Sequence, residues 1–203
     1  SVGGGVSVID FDLDGWQDLF MTGGGKLSER DRQLDISGRN SGLLQNRSGA
    51  FVAIMERAML ADESLYTHGC TAADINADGF PDLVACGYQD VQVWLNHGDG
   101  TFSEQSAALG ISSQSWNVAP AVADYDNDGL VDLYVVTYAD WQPDLERRCQ
   151  NDKGLRDICG PTLFDGQRDH LFRNTGSSFT NVTSEVGLVA ANRGLGIVAI
   201  DLN

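Results

Sequence analysis

Asp10-Phe11-Asp12-Leu13-Asp14-Gly15-Trp16-Gln17-Asp18-Leu19 carries aspartate at positions 1, 3, 5 and 9 and glycine at position 6. The pattern returns as Asp74-Ile75-Asn76-Ala77-Asp78-Gly79-Phe80-Pro81-Asp82-Leu83 and as Asp124-Tyr125-Asp126-Asn127-Asp128-Gly129-Leu130-Val131-Asp132-Leu133. A fourth copy opens at Asp201-Leu202-Asn203. The shared form is D-x-[DN]-x-D-G-x-x-D-L. Chance can supply one such string in 203 residues, but not three. The chain therefore reads as a repeat protein.

Oxygen counting gives these loops a chemistry. Calcium takes about six to eight oxygen ligands, and short alternating Asp and Asn side chains deliver them from one tight loop. The expected side-chain ligands are Asp10, Asp12, Asp14 and Asp18, then Asp74, Asn76, Asp78 and Asp82, then Asp124, Asp126, Asp128 and Asp132. The carbonyls of Trp16, Phe80 and Leu130 at position 7 are expected to add one ligand each, and glycine at position 6 permits the turn. Asp201 and Asn203 begin a truncated fourth site. Without a cation, carboxylates this close repel one another. Asn76 lowers the ligand charge of the second loop and is expected to weaken it slightly.

The flanks of the loops exclude helical calcium motifs. Position 12 is Met21, Ala85 or Val135 instead of the bidentate Glu an EF-hand needs. Val6-Ser7-Val8-Ile9 before the first loop and Leu133-Tyr134-Val135-Val136 after the third are β-branched and apolar, so each loop is expected at the tip of a β-hairpin. Each unit then gives a third apolar segment ending in Asn46, Asn96 or Asn174. A turn follows, then a fourth segment opening on Phe51, Phe102 or Phe179 and ending near Leu60, Gly110 or Leu188. Four antiparallel strands per unit, repeated, describe all-β propeller blades. The expected boundaries are about 1–63, 64–113 and 114–190, with an insertion at 140–168 and the first strand of a fourth blade at 191–203.

These loops and their spacing resemble the FG-GAP/VCBS repeat, the calcium-binding blade of integrin α-chain propellers and of many bacterial extracellular proteins. The segment Cys149-Gln150…Ile158-Cys159-Gly160-Pro161, followed by Asp169-His170-Leu171-Phe172-Arg173-Asn174, is similar to the cartilage-acidic-protein-like (ASPIC/UnbV-associated) group. In that group a cysteine-bracketed insert precedes the third strand of a blade. The resemblance implies a calcium-dependent extracellular propeller.

Composition agrees with this reading. The formal net charge is -16, and of the 29 acidic residues 23 are Asp, which favours caps and turns over helices. Gly is about 12% of the chain, against ~7% in ordinary proteins. Such a polyanion repels nucleic-acid phosphates, so no nucleic-acid partner is expected. No apolar run approaches the roughly 18 residues of a membrane span.

Cys70 and Cys86 stand four residues outside Asp74 and Asp82, equidistant from Asp78, which suggests a cross-strand disulfide. Cys149 and Cys159 bracket a polar loop they can staple. The competing reading is four free thiols; two disulfides point to a secreted, cell-surface or periplasmic protein. The 140–168 insertion, with Arg147, Arg148, Lys153, Arg156 and Arg168, is the leading recognition surface, and Lys26–Asn40 is expected to be a second polar loop. Gly3–Gly5 and Gly23–Gly25 are expected where backbones approach closely. No H-E-x-x-H, G-x-S-x-G, Walker or dinucleotide motif is present, so no catalytic residue is assigned.

The expected function is a binding or adhesion module with structural calcium and a protein or glycan ligand. The alternative is the propeller part of a polysaccharide lyase or hydrolase, and a purely architectural role is a third reading. Residues 3–10 and 194–201 are the same strand of the repeat. Ring closure is therefore expected to need either the remainder of a longer chain or self-association.

Overall fold

In the computed structural model, which describes residues 4–30, 33–60, 65–142, 149–157 and 159–200, each ten-residue loop joins two antiparallel strands. Three four-stranded antiparallel sheets result, each with its strands in sequence order. The first contains Val6–Ile9, Asp18–Met21, Gly42–Arg47 and Ala50–Ala53. The second contains Thr67–Ala73, Asp82–Gly87, Asp90–Asn96 and Phe102–Glu104. The third contains Asn117–Ala123, Asp132–Thr137, His170–Asn174 and Phe179–Asn181. The fold is nearly all-β with propeller-type blades, as the repeats predict. Asp201 and Asn203 lie outside the described residues.

Two apolar layers hold these sheets together. Phe11, Phe20, Leu43 and Leu60 of the first unit pack with Leu83, Ala85, Trp94 and Phe102 of the second. Val84, Cys86, Val91 and Val93 on the opposite face pack with Leu133, Val135, Phe172 and Phe179 of the third. Side chains alternate between sheet faces along a strand, so Leu83 and Ala85 serve one layer and Val84 and Cys86 the other. The second sheet is covered on both faces, and Asp82–Gly87 is accordingly buried throughout.

That alternation overturns the expected Cys70–Cys86 disulfide. Both cysteines are free thiols. Strand pairing sets Cys70 opposite Ala85 and Gly69 opposite Cys86, one residue out of step with the arrangement centred on Asp78. The offset sends the two side chains to opposite faces: Cys70 packs against the first layer and Cys86 sits in the second. Burial pushes both thiols up, Cys70 to about 12. Cys149 and Cys159 are disulfide-bonded, with Cα atoms 5.1 Å apart.

Two loop expectations also change. Gly25–Arg30 and Gln33–Gly38, expected as loop, pair as a six-residue antiparallel ladder. Leu34 and Ile36 alternate with polar residues in the second strand, but Gly25–Arg30 offers only Leu27 to match them, too little apolar patterning to declare a hairpin in the sequence. The fourth segment of each unit leaves the sheet after three or four residues and closes in one helical turn. Its hydrogen bonds run from Leu60 N to Met55 O, Ile111 N to Ser106 O and Leu188 N to Thr183 O. Met59, Gly110 and Gly187 occupy the left-handed position of these turns, at φ 60°, 76° and 78°. The glycine expectation holds at Gly5, Gly23 and Gly25. A Cβ there would meet the Cys70 backbone at 2.8 Å, the Arg39 carbonyl at 2.1 Å and the Tyr66 ring at 2.4 Å.

Candidate metal centre

The three loops share one backbone. Position 4 is left-handed at Leu13, Ala77 and Asn127, with φ of 55°, 59° and 58°. The glycine at position 6 has φ of 88°, 93° and 92° at Gly15, Gly79 and Gly129. Left-handed conformations cost a non-glycine residue about 1–2 kcal/mol, so Leu13 and Ala77 carry strain where the carboxylates converge. The first aspartate accepts the glycine N–H: Gly15 N to Asp10 Oδ2 at 3.0 Å, Gly79 N to Asp74 Oδ2 at 2.8 Å and Gly129 N to Asp124 Oδ2 at 2.9 Å. The position-5 aspartate accepts from position 7: Trp16 N to Asp14, Phe80 N to Asp78 and Leu130 N to Asp128, at 2.8, 2.9 and 2.9 Å.

These contacts gather oxygen. In the first loop Asp10, Asp12 and Asp18 bring carboxylate oxygens within 4.8 Å of one another, and in the third Asp124, Asp126 and Asp128 do the same. The donor set is all hard oxygen, which suits a calcium-like cation. Asp10 Oδ1 supplies an independent indication: it is buried and has no hydrogen-bond partner. A buried carboxylate oxygen without a donor is costly unless a cation satisfies it. In the second loop Asn76 Nδ2 donates to Asp78 Oδ2 at 2.9 Å, so an amide proton meets a carboxylate oxygen there.

Position 9 does something the motif did not reveal. Asp18, Asp82 and Asp132 are almost fully buried. One oxygen of each accepts the N–H of position 2, from Phe11 at 3.2 Å, Ile75 at 2.8 Å and Tyr125 at 3.1 Å. The other accepts the backbone N–H of the asparagine ending the third strand: Asn46 at 2.7 Å, Asn96 at 2.8 Å and Asn174 at 2.7 Å. This residue thus ties loop tip to strand. Burial raises all three carboxyls, Asp82 to about 6, against the lowering effect of the two backbone donors.

The asparagine side chains extend the link between units. Asn96 Nδ2 donates to the carbonyls of Pro81, at 3.1 Å, and of Phe11 in the preceding unit, at 2.8 Å. Asn174 Nδ2 repeats this with Val131 at 3.1 Å and Ile75 at 2.9 Å. Asn46 Nδ2 donates to Gln17 O in its own loop at 3.1 Å.

The family model of the FG-GAP-like repeat matches residues 10–85 and again 74–135. The chain belongs to the FG-GAP-like repeat family. No curated protein matches it. Among solved structures, it is similar to an Agrocybe aegerita lectin described as specifically recognising non-reducing terminal N-acetylglucosamine. That likeness is 16% in sequence over 88% of this chain and 65% of the other, with a TM-score of 0.29. It is too distant to bear on fold or ligand.

In the first and third FG-GAP-like repeats the structure thus brings three of the predicted aspartates together at one hairpin tip. Two groups of residues had no assigned role in the sequence: the strand-ending asparagines and Gln45, whose Nε2 reaches Asp12 Oδ2 at 2.6 Å. The asparagines had a signal in their recurrence; Gln45 is unique to one repeat and had none. In the 140–168 insertion the described residues include the stapled hairpin pairing Cys149–Gln150 with Arg156–Asp157. Arg147 and Arg148 lie outside the described residues.

Proposed function

We propose that this FG-GAP-like chain is a calcium-stabilised binding or adhesion module of an oxidising, extracellular or periplasmic compartment. The observation that carries the reading is the clustering of Asp10, Asp12 and Asp18 within 4.8 Å with Asp10 Oδ1 buried and without a donor. Calcium would be held by Asp10, Asp12, Asp14, Asp18 and the Trp16 carbonyl, and by the corresponding residues of the other two loops. There it supplies charge neutralisation and locks each hairpin tip. The chain's own residues do the rest: Asp18, Asp82 and Asp132 fasten the tips to the third strands, and Asn96 and Asn174 fasten one unit to the next.

The Cys149–Cys159 disulfide supports the oxidising compartment and the narrower cartilage-acidic-protein-like reading. Among the described residues no helix is long and apolar enough to cross a membrane. The ligand is a protein or glycan met by the stapled insertion, and the ring is completed by further repeat units. Exposed Phe51 on the first sheet and Tyr125 on the third support that completion, because their counterparts Phe102 and Phe11 are buried against a neighbouring unit.

Thermal melting with and without chelator tests the calcium role. A site held at 100 times its dissociation constant adds about 2.7 kcal/mol. EDTA should therefore lower the midpoint by several degrees and calcium should restore it. Identical melting in EDTA and in millimolar calcium would refute the reading.

A further inference from the structure

We propose that the first loop is the primary calcium site of the chain and that Gln45, a residue of the neighbouring strand, makes it so. The inference rests on the calcium reading above and concerns how this chain ranks its three loops.

The loops have the same backbone but different internal hydrogen bonding. In the second and third, the position-5 N–H caps the first aspartate: Asp78 N donates to Asp74 Oδ1 and Asp128 N to Asp124 Oδ1, each at 3.1 Å. In the first loop Asp14 N turns instead toward Asp12 Oδ1, at 3.4 Å. Asp10 Oδ1, the counterpart of those capped oxygens, is thereby left buried without a donor. Among the described residues only the first loop also has a side-chain clamp from outside, because Gln45 Nε2 donates to Asp12 Oδ2 at 2.6 Å. The orientation of that amide is fixed from its other end, where Gln45 Oε1 accepts Arg47 Nε at 3.0 Å. Gln45 stands between the Arg47 guanidinium and the Asp12 carboxylate, passing a proton donor to Asp12 without a charge that would repel a metal ion.

The other repeats lack this arrangement at the same place. Leu19 pairs with Leu44, Leu83 with Trp94 and Leu133 with Phe172, so Gln45, Leu95 and Arg173 occupy one register position next to their loops. Leu95 has no donor to offer. Arg173 places a cationic residue at that position in the third repeat. The second loop has in addition lost a carboxylate to Asn76. The first loop therefore combines four aspartates, an uncapped buried oxygen and a neutral clamp. Gln45 is a positioning residue that acts through Asp12, comparable to the outer-shell partners that orient metal ligands elsewhere.

Trp16 makes the first loop separately readable, since it is the position-7 residue there while the other loops have Phe80 and Leu130. The probe is terbium, an oxygen-seeking ion of calcium-like size, titrated into the chelator-stripped chain with excitation of tryptophan. Calcium back-titration and a Trp16→Phe control identify the signal with loop 1. Gln45→Met should raise the terbium midpoint about tenfold, the lower range for loss of an outer-shell partner, and Gln45→Asn, too short to reach Asp12, should do the same. Arg173→Gln should leave the Trp16 signal unchanged.

In an Asp12→Asn background, Gln45→Met should add no further loss, because the partner of the clamp is already gone. A merely structural Gln45 would show the same loss in both backgrounds. Cooperative melting of each variant in EDTA confirms that it is folded. A midpoint within about twofold of wild type in both Gln45 variants would overturn the proposal. Absence of any calcium-displaceable terbium signal from the wild type would instead overturn the calcium reading beneath it.

Discussion

Met59 sits at the left-handed position of a turn whose two counterparts are Gly110 and Gly187. Its side chain is exposed, so little packing holds it there. Met59→Gly should stabilise the fold by about 1 kcal/mol, seen as a higher denaturant midpoint at unchanged slope. His170 is a second residue-scale case. Burial holds its imidazole below the usual histidine range, against the raising effect of Asp169. The unfolded chain then binds the proton more readily, so this residue's contribution is full above the ordinary histidine value of about 6.5 and is lost as pH falls through and below it. The stability difference between wild type and His170→Gln should shift against wild type on acidification from pH 8 to 5. A pH-independent difference would contradict the assignment. Neither role was conspicuous in the sequence: Met59 stood near the end of the fourth segment, and His170 was one residue of the Asp169–Asn174 segment.

At the scale of the element, the loop was legible and its anchorage was not. Aspartates at fixed spacing with glycine at position 6 declared a turn that gathers oxygens, because those properties are local. That Asp82 spends both oxygens on backbone N–H groups of Ile75 and Asn96 depends on the pairing of strands fourteen residues apart. The same limit produced the wrong cysteine pair. Counting outward from Asp78 gave symmetric positions, but the ladder is centred half a residue away, and one step of register reverses the face of a side chain. Asp82→Asn removes one acceptor and sets an amide donor against an N–H group. It should cost about 2–4 kcal/mol. The loss should persist in EDTA, which separates the fastening role from any effect on metal. Asp78→Asn, at an exposed position of the same loop, should change stability in EDTA far less.

Across the whole molecule, one junction is used twice. Asn96 reaches Phe11 O and Asn174 reaches Ile75 O, while Phe102 N bonds Ala58 O and Phe179 N bonds Leu109 O. The stacking of units was legible in the repeated Asn and Phe, but the direction of the asparagine side chains toward the preceding unit needed the packed sheets. Asn96→Ala and Asn174→Ala each leave buried carbonyls without a donor and should cost about 1–3 kcal/mol. Asn46→Ala removes a bond within its own unit and should cost less. Equal losses at all three positions would show that the link between units is not what the asparagines supply.

The charge of -16 belongs to the same account, since eleven of the 23 aspartates stand in the three loops, where a bound cation would offset them. The central claim is that these loops hold calcium. Equilibrium dialysis of the chelator-stripped chain against calcium tests it most directly. The account predicts saturable binding of at least two calcium ions per chain, about one fewer in Asp10→Ala and about two fewer when Asp124→Ala is added. Calcium uptake no greater than that of this double variant would contradict it.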